Sequence, residues 1–118
     1  MDGDATMADF KKLQGEFIDA ADFLVALGDE KRQAIILTLL EKGSCEGLRV
    51  TELTEATKLS RPAVSHHLKI LRDAKLVDYH SIGTKNYYYF NHDTTELKKL
   101  MTLLQHVMKI MSEGSETQ

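Results

Sequence analysis

Apolar residues recur at helical spacing through the first part of the chain. Over residues 10–27 they stand three or four positions apart, which predicts a helix that ends at Gly28. Gly15 lies inside this stretch and is expected to divide it into a short leading helix and a longer one. Asp29 is a suitable cap for a second helix, which carries paired apolar residues and stops near Gly43.

Two more helices are predicted in the middle of the chain, separated by a short turn. Thr51 is the expected cap of a helix over residues 52–57, and Ser60 is the expected cap of a longer helix that runs to about Ala74. Pro62 falls in the first turn of that longer helix, where its missing N–H costs least. This part of the sequence therefore predicts a helix-turn-helix.

The segments "LVDYHSI" and "NYYYF" follow, and both are rich in β-branched and aromatic residues that alternate with polar ones. Gly83 and Thr84 stand between them, so the pair predicts a β-hairpin. Asp93 is then expected to cap a last helix, in which Glu96 completes a capping box. The predicted fold is α+β and mainly helical. One domain is expected over residues 9–112, with disorder over residues 1–8 and 113–118.

The overall charge argues against a nucleic-acid partner, whereas its distribution argues for one. The formal net charge is −3 at pH 7, and residues 1–30 hold eight carboxylates against two lysines. Residues 61–85, by contrast, hold five lysines and arginines against two aspartates. Because a polyanion responds to the local patch, the total charge does not exclude DNA.

Cysteine use and hydropathy bear on the compartment. The chain has one cysteine, Cys45, which cannot form an internal disulfide and is expected to be a free structural thiol. No secretory signal or long apolar span is apparent, so a cytoplasmic protein without a membrane partner is expected.

The longer helix of the helix-turn-helix has two chemically different faces. Val64, Leu68 and Leu71 fall on one side at helical spacing and are expected to face the core. His67 lies on the same side and is expected to be a buried histidine with a satisfied hydrogen bond, whereas His66 projects outward. The outward face has short side chains near the start of the helix and basic side chains further along. Taken alone, this pattern is also typical of an ordinary solvent-exposed face.

The order of the elements favours DNA binding over that simpler interpretation. A short helix, a turn, a second helix and a hairpin with a basic tip form a winged helix-turn-helix, in which the second helix enters the major groove. The candidate DNA-contacting residues are Ser60, Arg61, Pro62, Ser65, His66, Lys69, Arg72, Lys85 and Asn86.

Two stretches carry a family resemblance, "ALGDEKRQAIILTLLEKG" and "VTELTEATKLSRPAVSHHLKILRDAKLVDYHSIGTKNYYYF". They resemble the ArsR-type winged-helix repressors of bacteria, and the likeness extends over residues 20–112. The resemblance implies a homodimer that binds an inverted repeat in double-stranded operator DNA until an inducer, a small molecule or a protein, lowers its affinity. It also implies that Ser65, His66 and the residues around Arg61 face the bases.

Many members of that family sense metals, and this sequence departs from their ligand patterns. One family site uses cysteines at the start of the first helix of the helix-turn-helix, where this chain has Arg49 and Thr51. The other site uses four positions on the last helices of two subunits. Here Asp93 and His106 match, but Thr95 and Lys109 stand at the others. No metal and no cofactor are therefore expected.

The apolar stripe of the last helix is longer than a small core needs. It can cover the first helix of its own chain, and by the family resemblance the first and last helices also build a shared dimer interface. The candidate dimerisation residues are Phe17, Leu24, Leu97, Leu100, Met101, Leu104, Val107, Met108 and Met111.

Two other classes of function are alternatives to a DNA-binding regulator. A winged-helix module that binds protein through the same outward face would show little salt dependence and no binding to duplex DNA. An enzyme is disfavoured because the sequence has no Gly-rich phosphate loop and no nucleophile with an adjacent base.

Overall fold

The computed structural model describes residues 6–42 and 46–116. Within these ranges the elements are α1 (Met7–Leu27), α2 (Glu30–Lys42), α3 (Val50–Thr57), α4 (Arg61–Asp73), β1 (Val77–Ile82), β2 (Lys85–Phe90) and α5 (Thr95–Glu116). This order confirms the predicted α+β, mainly helical fold with a helix-turn-helix and a two-stranded hairpin.

The chain separates into two compact units. One comprises the described residues up to Ala21 and from Thr94 onward, and the other comprises Asp22–Asp93. In the second unit α2, α3 and α4 contact one another, α4 also contacts β1, and α2 and α3 contact β2. The largest side chains buried in this unit are Ile35, Leu53, Val64, Leu68, Leu71, Leu76 and Val77. In the first unit the buried apolar residues are Ala20 and Leu103.

Two predicted helix caps are confirmed by their hydrogen bonds. The Arg32 backbone N–H donates to Oδ2 of Asp29 at 3.0 Å, which caps the first turn of α2. The Ala63 backbone N–H donates to Oγ of Ser60 at 3.2 Å, which fixes the start of α4.

The prediction that Gly15 divides the first helix is wrong. α1 is continuous from Met7 to Leu27. An interior glycine costs a helix only about 1 kcal/mol relative to alanine, and the Lys, Leu, Gln and Glu residues around Gly15 are good helix formers.

Two other predicted caps are displaced by a residue or more. α3 begins at Val50, so the cap is Arg49, whose backbone N–H donates to Oε1 of Glu52 at 2.9 Å. Thr51 therefore lies inside the first turn. The carboxylate of Glu52 accepts the backbone N–H of Arg49, and this bond stabilises a start of the helix before Thr51. α5 begins at Thr95, and the Lys98 N–H donates to the Thr94 carbonyl at 2.9 Å. Thr94 rather than Asp93 is the flanking residue.

The two ends of the helical region reach further than the sequence indicated. α1 begins at Met7. α5 continues to Glu116, past the expected boundary at residue 112, because no proline follows Met111 to stop it. The polarity of this tail predicted disorder, yet polar residues other than proline also continue an established helix.

The hairpin contains one contact that the sequence did not reveal. β1 and β2 are antiparallel, with Val77 opposite Phe90 and Ile82 opposite Lys85. Leu48 adds an isolated bridge, because its N–H and carbonyl both bond Tyr88 at 2.7 Å. The residue before it, Gly47, has φ of +87°, and a Cβ there would lie 2.6 Å from the Tyr88 carbonyl oxygen.

Candidate nucleic-acid interface

The burial of α4 confirms the predicted orientation of its two faces. Val64, Leu68 and Leu71 are at most 1 % exposed, and they fix the helix against the core. Ser65 and His66 lie on the opposite, exposed side. Since Ser60 caps the helix and a proline follows in its first turn, the same residues that start the helix also bring short side chains to its outer surface.

All nine candidate DNA-contacting residues are exposed. Seven belong to α4 and its cap, and we call this set the α4 face: Ser60, Arg61, Pro62, Ser65, His66, Lys69 and Arg72. The remaining two, Lys85 and Asn86, open β2 directly after the Gly83 turn, so they lie at the tip of the hairpin. The Ser81 hydroxyl and the Asn86 side-chain oxygen are 2.6 Å apart, which ties the two strands together at this tip.

The basic side chains at the far end of α4 already have partners. Nζ of Lys69 lies 3.2 Å from Oδ2 of Asp73, and both side chains are exposed. The guanidinium of Arg72 lies over the ring of Tyr79, 4.4 Å from its centroid, and its Nε is 3.9 Å from Oδ1 of Asp78. Exposed pairs of this kind contribute about 0–1 kcal/mol, so a phosphate can compete for these cations.

His67 was expected to be buried with a satisfied hydrogen bond. It is half-buried, and it does have a hydrogen-bond partner. Its Nδ1 lies 3.3 Å from Nη1 of Arg32 on α2. Burial lowers the pKa of His67 below its ordinary value of 6.5, and the nearby Arg32 lowers it further, while Asp29 opposes both effects. His67 is therefore neutral at pH 7.

Arg32 is a buried residue that sequence reasoning missed. It is 9 % exposed, and its side chain donates to two carbonyls at the end of α1, from Nε to Ala26 at 2.9 Å and from Nη2 to Val25 at 3.0 Å. Arginine is rarely buried without such partners, so its type alone predicted an exposed position. The available signal was its place on the apolar side of α2, three residues before Ile35.

In the first unit His106 lies within hydrogen-bond distance of Glu16 rather than in a metal cluster. Nδ1 of His106 lies 2.8 Å from Oε1 of Glu16, and both side chains are partly buried. Lys109 lies beside His106 on the wall of a shallow pocket that also holds Asp9 and Glu113. Among residues 6–42 and 46–116, no group of three or more His, Cys, Asp or Glu side chains could hold a metal ion.

The start of α3 holds the two residues that stand at the positions of the first family metal site. Arg49 is the residue that precedes the helix, and Thr51 is exposed in its first turn. Cys45 lies outside the described residues, so the prediction of a free thiol there stays a prediction.

The candidate dimerisation residues divide into exposed and half-buried positions. We call the exposed members on α1 and α5 the apolar face: Phe17, Met101, Leu104, Met108 and Met111. Leu24, Leu97, Leu100 and Val107 are half-buried. Leu103 is not among the predicted residues, yet at 1 % exposed it is the buried centre of α5. No helix in the described part of the chain is both long and apolar enough to span a membrane.

Comparison with known proteins agrees with this fold. The family model described as "Bacterial regulatory protein, arsR family" matches residues 29–79. An HTH-type transcriptional regulator of Methanocaldococcus jannaschii, MJ1325, is 34% identical over 88 residues, which cover 75% of this chain and 93% of that protein. The arsenical resistance operon repressor of Bacillus subtilis is 39% identical over 69 residues, which cover 58% of this chain and 62% of the repressor.

A solved structure shows the same architecture. The crystal structure of NolR from Sinorhizobium fredii superposes with a TM-score of 0.59 and 27% identity, covering 86% of this chain and 92% of NolR. The family and the named relatives are transcriptional regulators rather than enzymes. The predicted resemblance to the ArsR-type regulators is thereby confirmed, and the family model itself matches residues 29–79. The chain belongs to the ArsR family of bacterial regulatory proteins, which are DNA-binding transcriptional regulators with a winged helix-turn-helix.

Proposed function

We propose that the protein is a homodimeric repressor that binds an inverted-repeat operator through the α4 face and the hairpin tip. The observation that carries the proposal is the two-sided α4. Its apolar side is buried to within 1 % at Val64, Leu68 and Leu71, which leaves the opposite side open along the helix. The similarity to a repressor of Bacillus subtilis supports repression as the outcome of binding.

The start of the α4 face suits contact with bases. Pro62 and Ser65 are short, so the helix backbone can come close to the floor of a major groove, which is about 12 Å wide. His66 stands among them with an exposed ring that can donate to or accept from a base edge. We assign base reading to Ser65 and His66.

The cations around this helix suit contact with phosphates. Arg61 stands at the start of α4, Lys69 and Arg72 lie towards its end, and Lys85 lies at the hairpin tip. The ring of Tyr79 holds the guanidinium of Arg72 against the hairpin, so less side-chain entropy is lost when a phosphate binds it. These residues would set the affinity and the orientation of the protein on DNA.

The apolar face supports assembly into a dimer. Met101, Leu104, Met108 and Met111 are each at least 51 % exposed in the isolated chain and repeat at helical spacing along one side of α5. A second copy of the same face would cover them. A two-fold dimer places two recognition helices about 34–36 Å apart, which is why an inverted repeat is the expected operator form.

The test is selection of duplex fragments from genomic DNA, followed by a salt titration on the recovered duplex. An inverted repeat should emerge, and a shuffled duplex should bind much more weakly. If the dimer neutralises about six phosphates, log affinity should fall with log salt at a slope of about −5. A flat titration, or equal affinity for every duplex, would favour the protein-interaction module instead.

A further inference from the structure

We propose that Arg32 and His67 form a positioning link for α4, and that this link holds the helix in its DNA-binding orientation only while His67 is neutral. The inference rests on the function proposed above, because it concerns the affinity of α4 for DNA. Neither residue belongs to the α4 face, so both would act through the residues that touch DNA.

One end of the link is the C-terminus of α1. The last carbonyls of a helix have no partner within it, and they form the negative end of the helix dipole. Arg32 donates two charge-assisted bonds to these carbonyls, to Ala26 at 2.9 Å and to Val25 at 3.0 Å, and the Val25 carbonyl also accepts from the Gly28 N–H at 3.1 Å. A buried guanidinium held at two nitrogens has little freedom, so the position of its remaining nitrogen is also fixed.

The other end of the link is on α4. Nη1 of Arg32 lies 3.3 Å from Nδ1 of His67. A guanidinium can only donate, so Nδ1 of His67 must accept and the ring proton must sit on Nε2. His67 directly follows His66, the exposed histidine on the α4 face. A shift of the His67 backbone would therefore move a base-reading residue.

Protonation of His67 would break the link by placing two donors and two positive charges against each other. The charged or titratable groups that act on His67 are Arg32 and Lys31 from α2, His66 from α4, and Asp29 just before α2. Only Asp29 favours the protonated ring, and its carboxylate is already engaged by the Arg32 backbone N–H. Burial adds to the repulsion, so the pKa of His67 lies below 6.5.

The sign of the pH effect follows from these charges. Since DNA binding requires neutral His67, acidification below the pKa of His67 adds one proton per subunit that must leave on binding. The affinity should then fall towards a limit of about tenfold per pH unit for each subunit.

The experiment compares two variants on the duplex recovered by selection. His66→Gln takes the neighbouring histidine off the α4 face, so that His67 is the histidine of this helix that is tested. The second variant combines it with His67→Asn, whose side-chain oxygen can stand near the position of Nδ1 and accept from Arg32 without titrating. Operator affinity is measured by fluorescence anisotropy from about pH 5 to about pH 7.5 at constant ionic strength. Circular dichroism and sedimentation identify the pH values at which each variant is folded and dimeric.

We expect the single variant to lose affinity on acidification while it remains folded, and the double variant to keep its affinity for the operator throughout. A third variant, His66→Gln with His67→Leu, lacks the acceptor and should bind about tenfold or more weakly already at pH 7.5. Histidine NMR of the wild type should show the tautomer with the proton on Nε2.

Three outcomes would overturn the link while leaving the proposed function intact. These are equal pH dependence in the single and double variants, a loss of affinity that appears only with unfolding, and a His67 proton on Nδ1. Absence of sequence-specific binding by the wild-type protein at pH 7.5 would instead overturn the proposed function, and the link with it.

Discussion

Neighbouring residues on α4 have opposite roles because each step along a helix turns the side chain by about 100°. His66 is exposed, whereas His67 is half-buried and bonded to Arg32. The same residue type therefore has two chemistries at adjacent positions. Residue identity alone does not separate them, but the position of Val64, Leu68 and Leu71 on the same helix does.

At this scale we expect His66→Ala to leave the fold intact and to weaken operator binding by about 1–3 kcal/mol, as for the loss of a base-edge contact. The measurement is affinity for the selected operator against a shuffled duplex. His92→Ala is the matched control, because His92 is an exposed histidine outside α4 and should not alter either affinity. An equal loss on both duplexes would mean that His66 contacts phosphate rather than a base.

A second residue-scale prediction concerns Asp29 and acid. Its carboxylate accepts from the Arg32 backbone N–H, and this bond lowers the pKa of Asp29 below 3.8. A lowered folded pKa means that the cap contributes stability above pH 3.8 and loses it as the pH falls through the folded value. Asp29→Asn keeps the cap without a titrating group, so we expect a smaller loss of stability in this acid range. Unfolding by urea at several pH values measures it, and an unchanged acid profile would contradict the prediction.

At the scale of the element, α1 shows a helix that tolerates a weak residue. Gly15 lies in its exposed middle, and apart from its chain neighbours and the nearby backbone of α1 nothing lies within 4 Å of the position where a Cβ would stand. Neither a turn nor a close approach requires glycine there. Gly15 therefore lowers the stability of the helix, and no feature of the structure requires it.

We expect Gly15→Ala to raise the free energy of unfolding by about 0.5–1 kcal/mol, because alanine loses less backbone entropy in a helix. Gly83→Ala is the contrasting variant. Its surroundings are equally open, but its φ of +64° is unfavourable for a side chain, so it should lower stability by about 1 kcal/mol. Urea unfolding measures both. A destabilising Gly15→Ala would show that α1 needs its flexibility.

The elements also show what the sequence could and could not predict. α4 was predicted closely because three local signals agree there, the Ser60 cap, the Pro62 first turn and the apolar spacing. The break predicted at Gly15 was wrong because the low helix propensity of one glycine is outweighed by the helix formers around it. The Leu48–Tyr88 bridge was invisible because it joins distant parts of the chain, and no local pattern encodes that contact.

The candidate site followed the same division. The nine exposed positions come from the periodicity of α4 and from the hairpin turn, both of which are local. The burial of Arg32 could not be predicted in this way, because it depends on the carbonyls at the end of another helix. The pairing of His106 with Glu16 likewise depends on how α1 and α5 meet.

At the scale of the whole molecule, the apolar face remains exposed to solvent in an isolated chain. Leu104 is 51 % exposed, and Met108 and Met111 are more so. Single exposed apolar side chains are common, but a row of them along one side of a helix is typical of an interface.

We expect Leu104→Glu to produce monomers and to abolish high-affinity operator binding together. An unpaired carboxylate in an apolar interface costs several kcal/mol. The matched control is Gln105→Glu, which adds the same charge at the next exposed position of α5. Sedimentation and anisotropy give the two readouts. A monomeric Leu104→Glu that binds the full operator with wild-type affinity would contradict the role proposed for the dimer.

The bridge between Leu48 and Tyr88 has a consequence for the order of folding. Residues 49–87 lie between its partners, so the entropy of closing that loop must be met by contacts formed within it. The hairpin and α4 can form from neighbours in sequence, on fast timescales. We therefore expect the bridge to form after them, once the chain around α3 has collapsed. A glycine at position 47 lets the backbone beside Leu48 approach Tyr88, where a side chain would collide with the Tyr88 carbonyl. Gly47 would then matter late in folding rather than early.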